Sequence, residues 1–322
     1  MKKVRKLFTG IALCAFGLGS AWAQDYPSRH LTLIVPYTAG GTADGIGRAL
    51  GQSLAQELDT TVVVENRPGA GASIGTDYVA KSDPDGHTML LVSTSALTVY
   101  PHIGDAPYDP LNDLIPLASV AVSPVALAAT KEVTDDSFVE LLKTVNENPE
   151  HIRYGTPGVG TNAHLGIERL SQGEGLKLLH VPYKGNSQAL TDAVGGAFEL
   201  LVTNADVVLP HAETGALRPL AVMAPERLQV WPEVPTLAEL GYPDAQYYSD
   251  FGLFVPTDTP EPVVEKLFTA LETALQDPGY KDFLQKTYNM EGVGVRDEYA
   301  NKIKDQHEQN GIVIESIDME AN

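Results

Sequence analysis

Two segments carry the residue types that hold an anion. Val35–Asp44 reads VPYTAGGTAD, and Tyr154–His164 reads YGTPGVGTNAH. Each passes from a strand-like run through glycines into a helix-like run. A helix begins with backbone N–H groups that have no acceptor inside it, and its dipole places partial positive charge there. Such a start binds an anion without Lys or Arg. In the first segment Gly40 and Gly41 let the backbone approach a ligand, Thr42 offers a hydroxyl and Asp44 a helix cap. Tyr37, Thr38 and Ala39 complete that loop. In the second, Gly158 and Gly160 supply the backbone, and Thr156, Thr161, Asn162 and His164 the polar side chains. Each loop taken alone reads better as a tight turn with a helix cap. Their pairing in two halves of the chain favours one shared anion site.

Other motifs carry less. Gly71–Gly75 matches G-x-S-x-G, the nucleophile elbow of secreted serine hydrolases, but that elbow places its serine directly after a strand. Here residues 67–70 intervene, and Ser73 reads as a helix entry. Gly45–Gly51 and Gly69–Gly75 read G-x-G-x-x-x-G, one residue too long for a dinucleotide loop. There is no Walker loop and no H-E-x-x-H. His87, His102, His164, His180 and His211 are scattered, without metal-ligand spacing. No catalytic residue, metal or cofactor is expected.

The elements that must position the two loops alternate strand and helix, which predicts an α/β fold with mostly parallel sheets. Strands are expected at 31–37, 62–65, 88–93, 152–155, 178–182, 198–203 and 217–223. Ile46, Leu50, Leu54 and Leu58 recur every four residues, as on one helix face. Further helices are read near 74–81, around Phe138–Val145, around Val263–Leu271 and from about Arg296. Two long apolar runs, 115–130 and 246–256, lack a helical period and read as crossovers. The expected architecture is two lobes joined by two crossover strands: 24–122 with 250–322, and 123–249. Ligands bind in clefts between such lobes.

The N-terminus addresses the chain. Lys2, Lys3, Arg5 and Lys6 precede an apolar stretch from Leu7 to Leu18 and an Ala21-Trp22-Ala23 cleavage pattern, so residues 1–23 read as an export signal cut before Gln24. That stretch is shorter than the about 20 apolar residues a membrane span needs. Cys14, the single cysteine, follows Leu13 rather than the small residue that lipidation favours. The exported chain has no cysteine and keeps 18 Lys+Arg against 42 Asp+Glu, a net charge of −24. That surface repels nucleic acid and anionic lipid. It does not forbid an anionic ligand, because salt screens charges beyond about 8–10 Å.

These features together resemble the Bug family of extracytoplasmic solute receptors, the binding proteins of tripartite tricarboxylate transporters. The resemblance rests on Tyr26–Arg29, the Val35–Asp44 loop, Val63–Gly71 (VVENRPGAG), Pro84–Thr88, Pro107–Pro110, His180–Gly185, Phe251–Pro256 and Thr259-Pro260. It implies a two-lobed, type II periplasmic-binding-protein fold that closes on a small carboxylate: a dicarboxylate, tricarboxylate, acidic amino acid or aromatic acid. One carboxylate is then expected on Thr38–Asp44, and the rest of the ligand on Thr156–His164, often through water. Ser93, Thr94 and Ser95, with Thr203 and Asn204, are expected to line the same cleft, or Ser93–Ser95 to be a solvated strand end. The family often carries Pro at Thr38, Gly-Thr at Thr42-Ala43 and Trp at Asp250. Asp250 is read either as bordering the cleft, selecting a ligand with a donor, or as pointing to solvent at the hinge. The resemblance implies a monomeric periplasmic protein that docks transiently on a membrane permease and binds no nucleic acid. A hydrolase built on Gly71–Gly75 and a ligand sensor for a signalling partner are the competing readings.

Overall fold

One long strand organises the molecule. The computed structural model describes residues 26–147 and 152–320; the export segment at 1–23, Cys14 and the cleavage position before Gln24 lie outside the described residues. The chain opens with β1 (Leu31–Val35), α1 (Thr42–Glu57), β2 (Val62–Asn66), α2 (Ser73–Ala80), β3 (Thr88–Ser93) and the short α3 (Ser95–Thr98) and α4 (Tyr100–Ile103). It then runs through β4 (Leu114–Ala129) into α5 (Phe138–Glu147), β5 (Arg153–Thr156), α6 (Asn162–Glu174), β6 (Leu179–Pro182), α7 (Asn186–Gly195), β7 (Leu200–Asn204), α8 (Ala205–Glu213) and β8 (Arg218–Met223). It returns through β9 (Tyr248–Pro256) to α9 (Glu261–Gln276), α10 (Pro278–Lys286), β10 (Met290–Glu291) and α11 (Arg296–Ser316).

From Leu114 to Pro124, β4 pairs antiparallel with β9 in a sheet ordered β2-β1-β3-β9-β4. From Val125 to Ala129 it pairs instead with β7 and β8, beside the parallel set β7-β5-β6. One strand therefore belongs to both sheets. Val125, Leu127 and Ala129 pack into a core with Phe138, Tyr154 and Ile167, whereas Ala126 and Ala128 pack on the other face with Phe198, Leu201 and Val208. A strand buried on both faces has no reason to alternate polar and apolar residues, which explains the unbroken apolar run. The first lobe has its own core, in which Ile46, Leu50 and Leu54 of α1 meet Leu33, Leu91, Phe254 and Leu267. A smaller cluster of Val99, Leu165, Ile314 and Met319 joins the end of α11 to both lobes.

The expected strands and the longer helices stand where periodicity puts them, within two residues at most ends. The segment 278–286 is a helix that hydrophobic period alone does not reveal, because it is short and largely polar. Its start signal is legible: the Asp277 carboxylate accepts the Tyr280 N–H at 3.0 Å, with Pro278 in the first turn. Among the described residues no helix is long and apolar enough to cross a membrane. Four parallel strands, β1, β5, β6 and β7, run into helices: β7 directly into α8, the others through short loops. The crevice of an open α/β sheet lies at those carboxyl ends.

Candidate functional site

The starts of four helices meet around one narrow cleft, closed down to about 20 Å³ of free space. Gly41, Thr42 and Ala43 come from α1, Thr161 and Ala163 from α6, Asn186 from α7 and Asn204 from the cap of α8. Tyr37, Ser93, Ser95, Pro157, Ser249 and Phe251 complete the wall, which contains no charged side chain. Its electropositive character therefore comes from backbone N–H groups and helix dipoles. The amides of Thr42 and Ala43 find no acceptor among the described residues. The Tyr37 hydroxyl accepts the Ser93 N–H at 3.3 Å and a hydrogen bond from the Ser93 side chain, and Ser93 Oγ accepts from Ser95 Oγ at 3.2 Å, so the Tyr37 hydrogen is left at the end of this chain. These donors border the same cleft.

The lobes are closed on each other. Thr38 Oγ1 meets Ser187 Oγ at 2.8 Å, Thr42 Oγ1 donates to Asp206 Oδ1 at 2.8 Å, and Asn186 Nδ2 donates to Thr42 Oγ1 at 2.9 Å. Asn186 Nδ2 also reaches Asn204 Oδ1 at 3.0 Å, and Asn204 Nδ2 donates to Ser249 Oγ at 2.9 Å. Burial pushes the Asp206 pKa up to about 6 against the hydrogen bond from Thr42. Gly185 requires its glycine: its φ is +152° and any Cβ would enter Thr38 of the facing lobe.

Several expected site residues stand elsewhere. Ala39 and Gly40 are exposed, and the Gly40 amide is taken by Asp44 Oδ2 at 2.9 Å. Asp44 also accepts from Arg48 and from Asn66 Nδ2. Burial raises its pKa, but the Arg48 guanidinium and the Gly40 and Asn66 donors outweigh that and hold it below the usual carboxylate value. Asp44 thus ties down the loop before α1 instead of facing a ligand. Thr94 and Asn162 line a second groove behind β9, with Tyr248 and Gln306, because Thr94 N–H is bonded to Asp250 O and Asn162 Nδ2 to Tyr248 O. Thr156, Gly158, Gly160 and His164 form and support the second loop without lining the cleft; Gly158 and Gly160 have positive φ and pack near Gly71 and Tyr100 of the first lobe.

Asp250 faces away from both the cleft and the solvent. It is 1% exposed, its Oδ1 accepts from Ser119 Oγ at 2.6 Å and from Tyr299 at 3.2 Å, and its Oδ2 from Lys302 Nζ at 2.7 Å. Strand alternation turns its neighbours Ser249 and Phe251 into the cleft. Both expectations for Asp250 are corrected by this geometry, and its cationic partner is Lys302.

Comparison with known proteins agrees with this architecture. Residues 46–319 match the model of the tripartite tricarboxylate transporter family receptor. The chain belongs to this receptor family. BugT of Bordetella pertussis is 36% identical over 273 residues, covering 83% of each chain. A Rhodopseudomonas palustris protein solved with adipate is 28% identical with a TM-score of 0.86, covering 91% of this chain and 98% of that one. MatC of the same organism, solved with bound malate, is 26% identical with a TM-score of 0.85, covering 90% of this chain and all of that one. The fold is accordingly the type II periplasmic-binding-protein fold.

Six lining residues of this receptor escaped sequence reasoning: Ala43, Pro157, Ala163, Asn186, Ser249 and Phe251. Asn186 had a signal, since Tyr183–Asn186 is a third passage from strand through glycine to helix. Ser73 is buried at the first position of α2, beside the Tyr108 hydroxyl, in a helix entry and not at a strand end.

The histidines are less scattered than their spacing indicates. His164 and His180 stack with ring centroids 3.8 Å apart, and Tyr154 stacks on His180 at 4.8 Å. His164 Nδ1 accepts the Gly160 N–H at 3.3 Å, and His180 Nε2 meets Thr156 Oγ1 at 2.7 Å, so the stack supports the second loop. Tyr154 bonds to Glu168, whose carboxyl burial pushes up. Burial, with His180 as a neighbour, lowers the His164 pKa to about 2, and burial lowers that of His180 to about 4. The folded receptor therefore holds both rings neutral while the unfolded chain takes up protons below about 6.5. Their contribution to stability is complete above that value and is lost as pH falls from about 6.5 toward 4. Urea midpoints from pH 7.5 to 4.5 are expected to fall with a slope approaching two protons, and His180→Gln to reduce it; a flat wild-type profile contradicts the buried neutral pair.

Proposed function

We propose that this receptor is exported to the periplasm, captures a small organic carboxylate between its lobes and delivers it to the membrane subunits of a tripartite transporter, without catalysis. The lobes comprise 24–122 with 250–322, and 123–249. The observation that carries this reading is the convergence of four helix starts on one uncharged cleft rich in hydroxyl and amide groups. Such a wall neutralises a carboxylate through many oriented dipoles, each contributing part of a charge, and it releases the ligand when the lobes separate. The adipate and malate in the structures of the two R. palustris relatives support a small carboxylate as the ligand.

A thermal-shift screen of mono-, di- and tricarboxylates tests it. A ligand at 100 times its Kd stabilises the protein by about 2.7 kcal/mol, a shift of about 4 °C for a chain of this size. At least one member of the screen is expected to reach that shift without being consumed. A screen in which no carboxylate raises the midpoint defeats the assignment, and turnover of the ligand defeats its non-catalytic part.

A further inference from the structure

The hydrogen bonds across the cleft have a direction, and the direction restricts the ligand. Asp206 can only accept while ionised, so it takes the single hydrogen of Thr42 Oγ1 at 2.8 Å. One Thr42 lone pair accepts from Asn186 Nδ2 at 2.9 Å, and the second Asn186 N–H goes to Asn204 Oδ1 at 3.0 Å. Both hydrogens of the Asn186 amide are then spent. What the side chains of Thr42 and Asn186 still offer the cleft they line is acceptors alone, a lone pair on Thr42 Oγ1 and the Asn186 carbonyl oxygen, beside the free backbone amides of Thr42 and Ala43. The opposite character holds at Tyr37, whose hydroxyl accepts from the Ser93 backbone and side chain and keeps its own hydrogen.

We propose that Asp206, acting through Thr42 and Asn186, makes this part of the cleft an acceptor pole and selects a carboxylate that carries a hydroxyl or ammonium donor beside its acid group. This rests on the reading of the cleft as a carboxylate site. Asp206 is a positioning residue here: it does not line the cleft, and it decides which way the Thr42 hydroxyl points. A plain dicarboxylate would bring acceptor against acceptor at this pole, leaving polar groups unpaired or bridged only by water. A 2-hydroxy or 2-amino acid supplies the missing hydrogen.

The test is calorimetry at pH 7.5 with L-malate, L-aspartate, succinate and adipate. The better of malate and aspartate is expected to bind at least about tenfold more tightly than succinate. In Asp206→Asn the new amide donates to Thr42, whose own hydrogen is freed to turn inward, so succinate should gain and the preference should shrink to about threefold or less. Thr42→Val, which removes the hydroxyl, should bring the donor ligand down to the level of succinate. Ser187→Ala, which loses a cross-lobe contact without altering this polarity, should weaken all ligands by one factor. Succinate binding as tightly as malate and aspartate to the wild type, or an unchanged ratio in Asp206→Asn, overturns the selection and leaves the carboxylate receptor standing. Absence of binding by all four overturns both.

Discussion

Gly41→Val is expected to fold like the parent and to lose at least about 100-fold in carboxylate affinity. Gly41 has φ −94°, a conformation open to any residue, so the substitution adds no backbone strain. A Cβ there stands 3.3 Å from Asn186 Cβ and 3.7 Å from the Asn186 amide. Asn186 belongs to the facing lobe, so the two further methyls of valine collide only when the lobes are shut. They also cover the free amides of Thr42 and Ala43. Two lost charge-assisted hydrogen bonds at about 1.5–3 kcal/mol each give the stated factor. Calorimetry with the best ligand of the screen measures it, and urea unfolding without ligand should show stability within about 1 kcal/mol of the parent. Undiminished affinity in the folded variant would remove the start of α1 from the site.

Asp250→Ala is expected to cost about 3–5 kcal/mol of stability while leaving the order of ligand preference unchanged. The carboxylate is buried, and Lys302, 25% exposed at its side chain, is its cationic partner. Removing one member of a buried pair leaves the other charge without compensation, which is far costlier than the pair is worth. The loss extends further, because Ser119 Oγ both donates to Asp250 and accepts the Val293 N–H at 3.0 Å. That group ties both crossover strands, β4 and β9, to α11. Lys302→Met should cost a comparable amount, and the double variant Asp250→Leu with Lys302→Met less than the two single losses added. Urea denaturation measures all three. A loss below about 1 kcal/mol for Asp250→Ala would mean that the pair does not anchor the hinge, and altered ligand preference would return Asp250 to the cleft.

Much of the site was legible because its chemistry is local. A glycine turn feeding a helix exposes amides wherever it occurs, and the residues of the first loop specify that turn without help from distant parts of the chain. Tyr37, Gly41, Thr42 and Thr161 were reached in this way, Ser93, Ser95 and Asn204 through the family resemblance, and the structure gathers them around one cleft. The same reasoning overreached at Thr94 and Asn162. Each lies beside a residue that does line the cleft, and sequence proximity does not say on which side of β9 a side chain emerges.

Asp250 shows why. Alternation along a strand gives two faces and no label for either. The label comes from β4, whose register against β9 shifts between Pro116 and Ala118 and again between Ser119 and Ala121. That register sets Val122 opposite Asp250 and Ser119 opposite Gly252, from where the Ser119 hydroxyl reaches the Asp250 carboxylate, and α11 closes over them with Tyr299 and Lys302. Ser119, Tyr299 and Lys302 each lie at least 49 positions from Asp250 in the chain.

By itself, then, the amino-acid sequence determined the alternation of strand and helix, the two crossovers and the amide-rich loop that opens the first lobe, because period, glycine placement and helix starts are properties of short segments. Only the tertiary structure decided which face of β9 meets the ligand, that His164 and His180 stack beneath the second loop, and that the Thr42 hydroxyl is turned toward Asp206. Each of these depends on residues brought together from separate elements, where strand register and lobe closure, rather than any local preference, select the partner for every hydrogen bond.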